Sequence, residues 1–98
     1  MESEVNIRQA LTAHREELRQ KYKVAQLAVF GSYARGEQTR NSDVDILVEF
    51  EAGGKTFDNY MELKFLLESI LKRRVDLVLK SAIRHEIRER ILAEAAYV

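Results

Sequence analysis

One stretch narrows the choice of fold more than any other. An apolar run ends at Val29-Phe30-Gly31-Ser32, a mostly polar segment follows, and Asp43-Val44-Asp45 opens a second apolar run that continues through Val48. In an extended chain successive side chains point to opposite faces, so Asp43 and Asp45 project the same way. Neighbouring carboxylates repel, and keeping two of them on one face costs stability unless a cation lies between them. Hard divalent ions such as Mg²⁺ take oxygen ligands of this kind. The pair therefore reads as half of a metal site. Glycine lets a backbone approach closely and turn-borne amides form anion-binding concavities, so Gly31 and Ser32 read as a cradle for phosphate. Phosphate and metal together point to a nucleotide.

Length and charge exclude several alternatives. A chain of 98 residues has room for one core, so one domain over residues 1–98 is expected, without a dedicated substrate domain. Lys+Arg and Asp+Glu each number 16, and a net charge of zero provides no overall field to hold a long nucleic acid. A polymerase-like substrate is therefore not expected. The sequence has no cysteine, which excludes thiolate metal sites and disulfides. It begins with the acidic Met1-Glu2-Ser3-Glu4 and contains no apolar run near the roughly 20 residues of a membrane span. A cytoplasmic protein without membrane contact is expected.

Taken in order, Val5, Ile7, Leu11, His14, Leu18 and Tyr22 recur at spacings near three and four, predicting one amphipathic helix capped by Ser3 or Asn6. His14 has no second ligand-type residue one turn away and reads as a packing histidine. Residues 23–30 form the first predicted strand. A short helical turn carrying Ser32 at its start is expected in the segment that follows. In the second strand, residues 43–50, Val44, Ile46, Val48 and Phe50 make the core face. Gly53-Gly54-Lys55 lacks the spacing of a phosphate loop and reads as a plain turn. Residues 56–72 predict a helix with a broad apolar face of Phe57, Tyr60, Met61, Phe65, Leu66, Leu67, Ile70 and Leu71, capped by Thr56 or Asp58.

The third predicted strand, residues 75–79, is interrupted by Asp76. A carboxylate among valines and leucines must reach solvent, a cation or a metal, and a salt bridge to Arg73 or Arg74 is one outcome. Ile83, Ile87, Ile91 and Ala95 at i+4 spacing predict a helix over 82–95 packed on the sheet, and the apolar Ala95-Ala96-Tyr97-Val98 reads as a segment that docks on the core or on a partner. The expected architecture is α/β (α+β), a small mixed sheet of three or more strands with helices mainly on one face. The short connection between the first two strands favours their antiparallel pairing.

Gly31-Ser32, ten residues, then Asp43-x-Asp45 resembles the G-S-x10-D-x-D signature of the polymerase beta-like nucleotidyltransferase superfamily. GSYARG, SDVDILV and the final EAAYV resemble its minimal nucleotidyltransferases, over nearly the whole chain. The resemblance implies that Asp43 and Asp45 hold Mg²⁺, two ions in all, that Gly31 and Ser32 cradle the phosphates, and that Asp76 is a third catalytic and metal-binding carboxylate. Without metal, three such groups repel, and at least one should protonate more readily than usual. Arg35 and Arg40 are arginines on a polar loop that either reach phosphate or stay solvated, and Tyr33 reads as packing beneath the loop.

The resemblance also implies a biological role. Family members of this size are antitoxins of two-gene modules whose toxin is a HEPN-domain ribonuclease, and they transfer AMP from ATP to a tyrosine hydroxyl of that toxin. The expected partners are thus a HEPN toxin and a nucleoside triphosphate. The alternatives are neutralisation by binding alone, and nucleotidylation of a small molecule with a separate substrate-binding subunit.

Overall fold

The computed structural model describes residues 3–98, so Met1 and Glu2 of the acidic N-terminus lie outside the described residues. Ser3 caps the first helix, α1 (Glu4–Ala13). Its hydroxyl accepts from the Asn6 N–H at 3.3 Å while the Asn6 side chain accepts from the Ser3 N–H at 3.2 Å. The expected single helix breaks at His14 (φ −107°, ψ 12°), and α2 (Arg15–Tyr22) follows. The break leaves the inward stripe intact, because Ile7 and Leu11 of α1 and Leu18 and Tyr22 of α2 are all buried. Val5, expected on that stripe, is half exposed. His14 itself is half-buried beside Glu17.

Strand β1 (Val24–Phe30) runs into the short helix α3 (Gly31–Arg35), and β2 (Val44–Phe50) returns antiparallel to β1, with Leu27 opposite Val48 and Phe30 opposite Asp45. Helix α4 (Phe57–Leu71) then carries the chain back across the sheet. Strand β3 (Val75–Leu79) can in consequence lie parallel to β2, with Asp76 paired to Asp45. A 3₁₀ turn (Lys80–Ala82) delays α5 to His85–Glu94, three residues later than expected. The chain ends in β4 (Ala96–Tyr97), an edge strand antiparallel to β1, giving the order β3-β2-β1-β4. Of the two expectations for the apolar C-terminal segment, docking on the core is the one observed.

Helices cover the sheet unequally. The larger core lies on the face of Val29, Val44, Ile46 and Val48, where α1, α2 and α4 pack, and the second gathers Ala28, Phe30, Leu47 and Ile91 beneath α5. Helix α4 is capped by Thr56 and ends at Lys72 in the left-handed region (φ 54°). Its buried stripe is Leu63, Leu67 and Leu71, flanked by Tyr60, Leu66 and Ile70. The broad face expected from sequence is therefore corrected: Phe57 is 76% exposed and Phe65 is 59% exposed. Eight apolar residues wrap too much of one helix for a single face to bury them all, and packing selects the leucine stripe. Among the described residues no helix is long and apolar enough to cross a membrane.

Candidate active site

Alternation along β2 decides what the site contains. Val44, Ile46 and Val48 fill the larger core, so Asp45 and Leu47 face the α5 side, where Leu47 is covered and Asp45, nearer the strand's start, is partly open. Parallel pairing sets Asp76 beside Asp45 on this face, and antiparallel pairing sets Phe30 on Asp45's other side, so the next residue, Gly31, arrives at the same carboxylate. Two residues 31 positions apart thus meet by register (76 − 45 = 31). Asp43 precedes the strand and is exposed.

Burial, then the charges of Asp76 and Asp43, together with a hydrogen bond to Asp76, push the Asp45 carboxyl up to about 6. Arg35 opposes this only weakly, as the smallest contribution. The expectation of one carboxyl that protonates unusually easily is thereby met at Asp45. Asp43 has its own partner, since one of its oxygens lies 3.2 Å from Arg74 Nε. Arg74, one of the two arginines named above as an alternative partner of Asp76, pairs with Asp43 in the structure. Among the described residues no three carboxylates or other ligating groups converge as a ready-made cluster. The donor chemistry nevertheless suits a hard dication: the fold places the carboxylates of the half-buried Asp45 and the exposed Asp76 in contact. The charge of Asp76 also reaches Tyr60, whose hydroxyl donates to the Leu77 carbonyl and is pushed above its ordinary range, first by burial and then by Asp76.

Gly31 has a specific reason to be glycine. Its φ is +72°, a region that side chains rarely adopt, and a Cβ there would lie 2.0 Å from Asp45 Oδ2. The backbone therefore sits against the carboxylate itself. Ser32, partly buried, is the second residue of α3, and Tyr33 is 1% exposed and packs into the larger core, as expected. Arg35 is exposed and pairs with Glu37 at 2.9 Å and Glu94 at 3.1 Å. Those contacts, Glu37 before Glu94, raise its pKa further above the ordinary arginine value.

Glu94, the last residue of α5, is the site residue that sequence reasoning missed. Its Oε1 accepts from the Gly31 N–H at 3.2 Å while both its oxygens accept from Arg35. The Gly31 amide is therefore occupied by a protein carboxylate in this structure. A signal existed in the sequence: Glu94 is a lone carboxylate within the small apolar tail Ala93 to Ala96, the same reasoning that singled out Asp76.

A mixed sheet of this order, with carboxylates on adjacent strands beside a strand-ending Gly-Ser pair, defines a nucleotidyltransferase fold of the polymerase beta type. Residues 11–98 match the profile of the nucleotidyltransferase domain. The chain is 47% identical to the protein adenylyltransferase MntA of Thermococcus cleftensis, over 94% of this chain and 92% of that one. Among solved structures it resembles a candidate minimal nucleotidyltransferase (TM-score 0.74, 40% identity, 90% and 92% of the two chains) and a toxin–antitoxin complex with AMP-PNP (TM-score 0.68, 29% identity, 87% and 69%). A tri-AMPylated HEPN toxin of Shewanella oneidensis in complex with its MNT antitoxin shares the fold (TM-score 0.65, 23% identity, 93% and 70%). The chain belongs to the nucleotidyltransferase domain family, and within it is a minimal nucleotidyltransferase.

Proposed function

We propose that this enzyme transfers AMP from ATP to a tyrosine hydroxyl of a HEPN-type ribonuclease toxin and thereby acts as its antitoxin. The observation that carries the proposal is the Asp45–Asp76 pair beside Gly31, with Asp43 next to it. The identity to a protein adenylyltransferase and the likeness to a toxin–antitoxin complex with AMP-PNP support the nucleotide and the acceptor class.

Mg²⁺ held by Asp43, Asp45 and Asp76 would neutralise the triphosphate and the leaving pyrophosphate. The chain's own residues do the rest. Release of the Gly31 N–H from Glu94 would let that backbone meet the phosphates, and Ser32 offers a hydroxyl at the same turn. Asp45, wedged between Gly31 and Asp76, fixes the position of the acidic centre. Asp76 is the exposed member of the pair and accepts the proton of the incoming hydroxyl on a carboxylate oxygen. The acceptor oxygen then bonds to the α-phosphorus, the bond from that phosphorus to the oxygen bridging the β-phosphate breaks, and pyrophosphate leaves.

Intact mass of the toxin encoded beside this chain, after incubation with ATP and Mg²⁺, tests the proposal. Gains of roughly 329 Da per AMP are expected with the native enzyme and none with Asp43→Asn/Asp45→Asn. A toxin silenced without mass gain would instead mean neutralisation by binding.

A further inference from the structure

The carboxylate on the Gly31 amide is held there by packing. Ile91 of α5 is buried with Ala28, Phe30 and Leu47, and Glu94 follows it by three residues, on the same side of the helix. One helical turn thus carries Glu94 to the end of β1, where Phe30 gives way to Gly31. There Glu94 Oε1 accepts from the Gly31 N–H at 3.2 Å, while Arg35 Nη1 donates to Oε1 at 3.3 Å and to Oε2 at 3.1 Å. The Glu94 side chain is only 17% exposed, so it is an internal anion and not a surface one. A turn amide and a guanidinium are also the donors that a phosphate group takes. Glu94 therefore stands where a phosphate would stand.

That position conflicts with a bound nucleotide on two counts. A single N–H cannot make a full hydrogen bond to Glu94 and to a phosphate oxygen at once. The same glycine also lies against Asp45, so a triphosphate brought to it meets the charge of Glu94 in addition to that of the acidic centre. We propose that Glu94 is a latch on the phosphate subsite. It holds the Gly31 N–H and Arg35 while no nucleotide is bound, and the triphosphate of an incoming nucleotide displaces it from both. The inference rests on the nucleotide reading given above and adds a means of regulating that site. Affinity is reduced by the fraction of molecules in which the latch is open, so a latch closed in about nine molecules of ten weakens binding about tenfold.

Glu94→Gln keeps an acceptor for the Gly31 N–H but exchanges charge-assisted hydrogen bonds for weaker neutral ones. Glu37→Gln is the control, because it takes a carboxylate from Arg35 and leaves the Gly31 N–H on Glu94. The native chain and both variants are titrated calorimetrically with ATP, inorganic tripolyphosphate and adenosine, each with Mg²⁺. Glu94→Gln is expected to bind ATP and tripolyphosphate about five- to tenfold more tightly than the native chain, and adenosine no more tightly. Glu37→Gln should stay within about twofold of native. A second readout needs no variant: the Glu94 carboxyl ¹³C resonance of the native chain should move when tripolyphosphate is added, as the group passes from Arg35 to water. Unchanged or weaker phosphate binding in Glu94→Gln would overturn the latch, as would an equal gain in Glu37→Gln or a Glu94 resonance that tripolyphosphate leaves in place. Failure of all three chains to bind either phosphate ligand would overturn the nucleotide reading, and the latch with it.

Discussion

Replacing Asp45 by Asn should stabilise this protein at neutral pH while removing its activity. The Asp45 carboxyl moves from an ordinary value of 3.8 to about 6 on folding. A shift of about two units corresponds to roughly 3 kcal/mol at 1.36 kcal/mol per unit. Asp45 is only half-buried, and solvent screening reduces this to about 1–2 kcal/mol. The direction follows from linkage. Because the folded pKa is the higher one, the native state binds more protons than the unfolded chain between about pH 4 and 6. The associated stability is complete below pH 4 and lost as pH rises through 6. Asn keeps the shape, carries no charge and can donate to Asp76, so its stability lacks this decline. Urea denaturation of both proteins at pH 4, 5, 6 and 7.5, with divalent cations chelated, should show curves that converge near pH 4 and separate by about 1–2 kcal/mol at pH 7.5. That difference amounts to about 5–10 °C in Tm for a chain of this size. Carboxylates remote from Asp45 titrate alike in both proteins and cancel in the difference, while Asp76 and Asp43, whose charges act on Asp45, belong to the measured effect. A variant less stable than native at pH 7.5, or a difference independent of pH, would refute the account of Asp45 as a strained carboxylate.

Three further outcomes follow from the same geometry. Gly31→Ala should cost about 1–2 kcal/mol from its positive φ and more from the contact with Asp45, so urea denaturation should find a smaller penalty in an Asp45→Ala background, where the contact is gone. Glu94→Ala removes the acceptor of the Gly31 N–H and a partner of Arg35, and should destabilise by about 1–3 kcal/mol; Glu94→Gln, which keeps an acceptor, should cost less in the same assay. The Tyr33 hydroxyl is buried and has no hydrogen-bond partner among the described residues, so Tyr33→Phe should leave stability unchanged or raise it by about 1 kcal/mol, read as a rise in Tm.

How much of this was legible in the sequence depended on whether the signal was local. The alternation of Asp43, Asp45 and Leu47 with Val44, Ile46 and Val48 is a two-residue period, and the structure follows it residue by residue. Asp76 was legible as a carboxylate in an apolar strand, but its pairing with Asp45 needed the parallel register. Glu94 reaches Gly31 across 63 residues, and no spacing rule connects them. Strand β4 has two residues, too few to show a period. The break at His14 was hidden for the opposite reason: Leu11 and Leu18, seven apart, keep the helical stripe in phase across it. The α4 face was overread because apolar residues cover more of that helix than its neighbours can bury, leaving Phe57 and Phe65 outside.

The strict alternation of β2 bears on how the chain avoids misfolding. If β2 slipped by one residue against β1, every side chain would change faces. Asp45 would enter the larger core, where Val44, Ile46 and Val48 now lie without exposure, and those residues would turn toward the opposite face. An uncompensated charge in that core costs several kcal/mol, and the slipped pairing would also forfeit the burial of the three apolar side chains. The acidic residues that destabilise the finished protein therefore penalise its nearest competitor, the one-residue slip, far more.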